Sequence, residues 1–391
     1  MHILIIPSAY PTEDAALRGT FFKEQAIALK ENNLKVGVIY SETRRITGIN
    51  INTLKKFHFQ VKDSIEEGIR TIRLQGWNIL MMRNSLGINL WINQTVKLFK
   101  TYIKKYGVPD IIHVHIGLYG GIAAKRIKEI YNIPYIITEH SSHVLNGTLN
   151  EYHRKLLKEG YDNADCLISV GEKLKSKMMN FTSNEIEVIP NIVNTEKFII
   201  NKNKENKNRF RFVSVSFLTD NKNVDLTIRA FGKAFKGKEA FELYIAGDGT
   251  AKTKLENLVR ELRLENQVKF VGKVSREKLP EFLNEGDCFV LPSKYETFGV
   301  VYIEALSCGL PIITTKCGGP EDFFREDLGY IIDVGDEEAL VEAMRDIVVN
   351  KENFNGETMS KYIKNKFSEA VIAREITRVY NRVLEDNRKN R

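Results

Sequence analysis

Two carboxylates flank the start of a helix in one stretch of this chain. In PSKYETFGVVYIEALSCGLP, residues 292–311, a helix is expected to begin near Gly299, with Glu296 before it and Glu304 inside it. At the usual helical rise, Glu304 lies about 7.5 Å along the axis from Gly299. Between the acids lie the main-chain amides of Phe298, Gly299, Val300 and Val301. The first amides of a helix have no intrahelical acceptor and carry partial positive charge, so they suit an anion. Gly299 lets a ligand approach the backbone closely. Carboxylates accept hydrogen bonds and so suit hydroxyl groups instead. Hydroxyl, phosphate, hydroxyl is the chemical order of a nucleotide sugar: hexose, diphosphate, ribose. A plainer reading keeps Glu296 as an acid favoured by the helix dipole and Glu304 as an exposed helical residue.

The elements around this stretch alternate in type. HILIIPS, LKVGVIY, DIIHVHI, PYIITEH, DCLISVG and IEVIPNI are short Ile- and Val-rich runs, mostly continuous, as in strands covered on both faces. Helical patterns, the first over residues 20–32, separate many of them, which predicts parallel βαβ units. The Asn- and Lys-rich segment 199–209 interrupts the rhythm as a linker. The alternation then resumes with FRFVSVSFL, FELYIAGDG, VKFVGKV, CFVLPS and LPIITTK. Helices are expected over 224–235, 252–262, 299–307, 336–349 and 368–385. The fold class is therefore α/β, with two doubly wound parallel-sheet domains, 1–198 and 210–371, joined by the linker. In such sheets ligands sit at the carboxyl ends of strands.

Composition narrows the function classes. The 391 residues are 43% hydrophobic and 28% charged, an ordinary globular balance. Cys166, Cys288, Cys308 and Cys317 are too few and scattered for a disulfide framework, and no CxxC pair offers zinc-ligand spacing. A reduced, cytoplasmic chain fits. MHILIIPSAYP has no basic leader, and no apolar run reaches the roughly 20 residues needed to span a bilayer. The first strand leads into PSAYPTEDAALRG rather than GxGxxG, which argues against a dinucleotide-dependent dehydrogenase. Of the net charge of +8, residues 1–200 carry most, with 26 Lys and Arg against 19 Asp and Glu. This half should attract anions: nucleic acid, an anionic membrane or a phosphorylated substrate. A solvated basic surface gives the same count. Residues 89–106 form an amphipathic pattern with Ile92, Val96, Phe99, Ile103 and Tyr106 on one stripe and Lys97, Lys100, Lys104 and Lys105 off it. Trp77, Leu80, Met81 and Met82 add apolar bulk upstream. Such a helix can lie on an anionic bilayer, but the surface helix of a doubly wound domain has the same pattern, and this reading is preferred.

The segment 292–311 resembles the EX7E signature of retaining glycosyltransferases of the family 4 type, which share the GT-B fold. The resemblance extends over nearly the whole chain, through IPSAYPTEDAALRGTFFKEQAIAL, HVHIGLYGGIAA, YIITEHSSH, ADCLISVGEKL, IEVIPNIVNTEKF, LYIAGDG, VKFVGKVSREKLPEFL and LPIITTKCGGPED. It implies two Rossmann-like domains facing across a cleft. The first would bind the acceptor and the second the nucleotide-sugar donor, with a C-terminal helix, 372–391, packing back on the first. By this resemblance Glu296 would hold hydroxyls of the transferred hexose and Glu304 would bind the ribose. The amides from Phe298 to Val301 would meet the sugar and diphosphate, and Val274 would lie beside the base. Gly19 would let the diphosphate approach the first domain. His140 would sit near the reacting sugar, and Lys222 would neutralise the leaving diphosphate. Each has a plainer alternative: a turn glycine at Gly19, a core histidine at His140, a solvated lysine at Lys222. His113, His115 and His143 have no comparable support, and GDG at 247–249 is read as a turn.

Two positions depart from the family pattern. Phe217 stands where an arginine usually partners the lysine, and Asn223 where glycine commonly follows it. Arg18 and Lys294 are candidate replacement cations. The chain has no Asp-x-Asp triplet, so no metal or other cofactor is expected. The activity implied is transfer of a hexose from a nucleotide diphosphate sugar, with retention, to a hydroxyl of a glycan or lipid-linked acceptor. The implied setting is bacterial surface polysaccharide or glycolipid assembly. The partners are the donor, the acceptor and an anionic membrane surface, which would place the protein peripherally on the inner face. Nucleic acid is not expected. A sugar-nucleotide epimerase, a phosphorylase or a non-catalytic nucleotide- or polysaccharide-binding scaffold on this fold are the alternatives.

Overall fold

The computed structural model describes residues 1–13, 15–44, 53, 55, 57–77, 85–203 and 208–389. The chain divides into two compact units, Met1–Pro190 with Ile372–Arg391, and Asn191–Val371. Residues 191–198 thus group with the second unit, ahead of the 199–209 segment. Local bonds explain this: Val193 N–H donates to Phe367 O at 2.9 Å, and Ser307 Oγ donates to Phe198 O at 2.6 Å.

The first unit is built on an eight-stranded sheet. Its strands are β1 (His2–Pro7), β2 (Lys35–Arg44), β3 (Gln60–Glu66), β4 (Ile69–Trp77), β5 (Ile111–His115), β6 (Tyr135–Glu139), β7 (Cys166–Ser169) and β8 (Ile186–Val188). Their order is β3-β4-β2-β1-β5-β6-β7-β8. All pairings are parallel except β3 with β4. The continuous Ile and Val runs of β1, β5, β6 and β7 are buried throughout, because helices cover both faces. β3 and β4 were not anticipated. β3 is an edge strand whose residues are mostly exposed, so it lacks the apolar run that marks a buried strand.

The amphipathic stretch forms helix Ser85–Tyr106. It buries Ile88, Trp91, Ile92, Leu98, Phe99 and Tyr102. Its Trp91 indole N–H donates to Ser41 O at 3.2 Å, and Tyr102 shares a 2.8 Å hydrogen bond with His2. Of the expected stripe, Ile92 and Phe99 are buried and Val96, Ile103 and Tyr106 only half-buried, so the buried face is turned toward Ile88, Trp91, Leu98 and Tyr102, while Lys97, Lys100, Lys104 and Lys105 stay exposed. Trp77 is buried, and Leu80, Met81 and Met82 lie outside the described residues. Among the described residues no helix is long and apolar enough to cross a membrane.

The second unit has a six-stranded, wholly parallel sheet of β9 (Phe210–Val215), β10 (Phe241–Ala246), β11 (Val268–Gly272), β12 (Cys288–Val290), β13 (Ile312–Thr315) and β14 (Gly329–Ile332). The order is β11-β10-β9-β12-β13-β14, so chain progression reverses between β9 and β12. In the first sheet it reverses between β1 and β5. Such switch points open a crevice at the carboxyl ends of the two strands. The expected helices appear as Val224–Phe235, Lys252–Glu261, Val300–Ser307 and Glu337–Val349. All four cysteines are free and buried.

Candidate active site

The second unit's switch point gathers most of the residues singled out from the sequence. After β9 the chain runs through Ser216 and Phe217 into the 3-10 turn Asp220–Lys222. After the neighbouring β12 it runs through Ser293 to Glu296 and then into helix Val300–Ser307. The two loops are joined by main-chain and side-chain bonds. Lys294 N–H donates to Asn221 O at 2.8 Å, and the Asn221 amide donates to Tyr295 O at 3.1 Å. Lys222 Nζ is then 2.6 Å from Glu296 Oε1, which also accepts from Ser293 Oγ at 2.8 Å. Glu296 is therefore committed to a lysine and a serine, not to the helix start as a dipole-favoured acid would be. Lys222 is not a freely solvated lysine either.

Buried polar atoms without partners mark this crevice. Ser216 Oγ and Asn221 Oδ1 are buried and have no hydrogen-bond partner in the protein. Orphaned polar groups of this kind cost stability unless a ligand or water completes them.

The helix start is shaped for close approach. Gly299 caps it with φ 89°, and a Cβ there would stand 2.5 Å from Tyr302 Cδ2. Phe298 turns its ring into the core against Phe323 and Phe367, at ring separations of 5.5 and 5.8 Å. It thus offers only its backbone to a ligand. Val300 and Val301 are half-buried at the helix start. The loop after β13 braces this turn from the other side. Glu296 N–H donates to Cys317 O at 3.1 Å, and a side chain at Gly319 would strike Phe298 O at 2.3 Å.

Glu304 differs from the plainer expectation. It is 3% exposed, in a helix that otherwise buries Tyr302, Ile303, Ala305 and Leu306. Arg276 Nη1 lies 2.5 Å from its Oε1. Arg276 stands on the loop after β11, two places beyond the half-buried Val274, and so ties that loop to the helix. The sequence reading missed Arg276. The available signal was a carboxylate in an apolar helical run, which demands a buried cation. GDG, read as a turn, also packs tightly: a side chain at Gly249 would stand 2.3 Å from Leu218 O, so it holds the loop that carries Phe217. Phe217 itself is 61% exposed. Of the candidate replacement cations, Lys294 borders Lys222 through the Asn221 bond, whereas Arg18 belongs to the other unit.

The first unit's switch point holds a second group. Gly19, with φ 75°, caps helix Thr20–Glu31, and a Cβ there would stand 2.5 Å from Ala9 O in the loop after β1. The helix's first turn brings Phe21 and Phe22 against His140, at ring separations of 5.3 and 5.0 Å. His140 Nε2 shares a 3.1 Å hydrogen bond with His115 Nδ1 at the end of β5. His113 behind them bonds Thr138 at 2.7 Å and Tyr380 at 2.6 Å. Burial pushes His113 down to about 3. It holds His115 well below the ordinary histidine range, with His113 and His140 adding to the effect. Both stay neutral at neutral pH. His143 is exposed, bonded to Thr148, and stands apart from this group.

Glu139, also missed, fixes the loop that carries His140. Its fully buried carboxylate accepts from the amides of Gly117, His140 and Ser141 at 3.0, 3.0 and 2.8 Å, and from Tyr161 Oη at 2.6 Å. Burial raises its pKa above the ordinary value despite these donors. Among the described residues no cluster of His, Cys, Asp or Glu has the makings of a metal site.

Comparison with known proteins agrees with this architecture. Residues 19–197 match the Glycosyltransferase Family 4 model, and residues 195–368 match Glycosyl transferases group 1. An uncharacterized glycosyltransferase of Methanocaldococcus jannaschii, MJ1178, is 27% identical over 332 residues, 83% of this chain and 89% of that one. Sucrose-phosphate synthase from Thermosynechococcus elongatus superposes with TM-score 0.80 at 21% identity, covering 99% of this chain and 100% of the other. Anabaena HepE, solved with UDP and glucose, superposes with TM-score 0.73 at 16% identity, covering 97% and 99%. With a family 4 first half, a group 1 second half and two Rossmann-like sheets, the chain belongs to the glycosyltransferases of the GT-B fold.

Proposed function

We propose that the protein moves a hexose from a nucleoside diphosphate sugar to a hydroxyl of a glycan or lipid-linked acceptor, with retention of anomeric configuration. The observation that carries this reading is the Lys222–Glu296 pair beside the glycine-capped helix start and two orphaned buried polar atoms. A cation, a carboxylate and unpaired amides are what a sugar diphosphate requires at one place. That HepE was solved with UDP and glucose on the same fold is in keeping with it.

In this reading Lys222 and the amides from Phe298 to Val301 receive the diphosphate, and Glu296 accepts from hexose hydroxyls. Glu304 accepts from the ribose, with Val274 beside the base. Gly19 gives the diphosphate room, and His140 adjoins the reacting sugar. The bond from the anomeric carbon to the diphosphate oxygen breaks as the acceptor oxygen attacks the same face. The acceptor's proton passes to the departing phosphate, so no separate base is required. Positive charge placed where negative charge grows stabilises that step, and Lys222 with the helix start supplies it without a metal. Retention and these roles rest on the family resemblance. The setting proposed is bacterial surface polysaccharide or glycolipid assembly. The exposed lysines of helix Ser85–Tyr106 suit an anionic membrane surface where a lipid-linked acceptor resides.

The test is product analysis with a panel of UDP- and GDP-sugars. Transfer or slow donor hydrolysis with the anomer retained supports the reading. Interconversion of donors without acceptor would make the protein an epimerase, dependence on free phosphate a phosphorylase, and binding without turnover a scaffold.

A further inference from the structure

The pair of Arg276 and Glu304 has a consequence beyond tying the loop after β11 to helix Val300–Ser307. We propose that Arg276 is a positioning residue that sets Glu304 to read the ribose, so that the protein selects ribonucleoside over 2′-deoxyribonucleoside diphosphate sugars. This deepens the proposed function and rests on it.

Glu304 sits in an apolar helix with its side chain 4% exposed, where an unpaired carboxylate charge is costly. Arg276 Nη1 meets Oε1 at 2.5 Å and keeps 18% of its own side chain exposed. The guanidinium is in turn seated over the Phe198 ring, 4.7 Å from its centroid. The arginine is therefore held from one side by an aromatic ring and gives its charge to the carboxylate on the other. This arrangement fixes the carboxylate's orientation before any ligand arrives. An ionised carboxylate can only accept, so its favoured partner is a hydroxyl donor such as those of a ribose. A site built around a hydroxyl discriminates strongly against the analogue that lacks it, because a buried polar group then goes unpaired. Thymidine diphosphate sugars, which lack the 2′-hydroxyl, should accordingly be poor donors.

The experiment is calorimetric binding of UDP and GDP, and of their 2′-deoxy forms, to the full chain and to Arg276→Ala, Arg276→Gln and Arg276→Lys. The wild type should prefer at least one ribonucleotide by about tenfold or more. Arg276→Ala and Arg276→Gln should bring the two forms to within about twofold, while Arg276→Lys, which keeps the charge, should retain part of the preference. A purely structural arginine would weaken both forms together and leave the ratio alone. That unchanged ratio in the alanine or glutamine variant would overturn the inference. Thermal unfolding checks that each variant is folded, and the lysine and glutamine variants decide the matter if alanine is not tolerated. A wild type that binds diphosphates without preferring ribose would also overturn it while sparing the proposed function. Failure to bind either diphosphate would remove both.

Discussion

Lys222 and Glu296 neutralise one another at 2.6 Å, with side chains only 20% and 12% exposed. On the proposed function, a diphosphate arriving at Lys222 must share or take this cation. Lys222→Ala is expected to lower kcat about a hundredfold while changing the donor KM less, because charge on the leaving group grows in the transition state. Glu296→Ala should also slow turnover. The double variant should lose less than the two single losses combined, since both remove one shared bond. Steady-state kinetics with the active donor measures all three. Glu139 offers a test of a different kind. Each of its oxygens accepts from at least one backbone amide, so the amide group of Glu139→Gln must point a donor at another donor. A loss of about 1–3 kcal/mol in a urea unfolding titration is expected. The placement of Glu296 before a glycine-capped helix and of Glu304 within it was legible in their spacing. Arg276 and Glu139 were not, since their roles depend on partners brought from distant strands.

The helix starts are the elements on which the proposed site depends. Gly299→Ala would force a side chain into φ 89° and within 2.5 Å of Tyr302, displacing the amides at that turn. Donor affinity should fall at least about tenfold, with stability reduced by about 1–3 kcal/mol. Calorimetric donor binding and thermal unfolding check the two effects. Sequence reading located β1, β5, β6 and β7 of the first sheet because burial on both faces leaves a continuous apolar run rich in Ile. It passed over β3, whose QVKDSIE is exposed at a sheet edge, β4, whose IRTIRLQGW is interrupted by Arg70 and Arg73, and β14, whose GYII is four residues long. It read the amphipathic stretch as the helix of a doubly wound domain, and that helix buries Trp91, which bonds Ser41 O on β2, and Phe99.

At the scale of the molecule, the buried histidines should make the first unit acid-sensitive. Unfolded His113 takes a proton near 6.5, whereas the folded residue resists until about 3. Between those values the unfolded chain binds more protons, so stability falls as pH drops below about 6.5, by up to about 1.4 kcal/mol per pH unit for each such histidine. His115 adds in the same sense. Glu139, raised above 4.5, works the opposite way at lower pH, gaining its proton in the folded state first. Urea midpoints at pH 7.5 and 5.5 should differ, and His113→Asn should shrink the difference.

Tyr380 reaches His113 from helix Glu369–Lys389, and the same helix meets Asn32 through Thr377 and Glu187 through Arg382. The first sheet is thus finished by residues made after the whole second unit. A nascent chain halted near residue 190 would carry every strand of that sheet and still leave this face bare. Vectorial synthesis therefore imposes a waiting period on the amino-terminal half, during which protection by a chaperone has the most to offer.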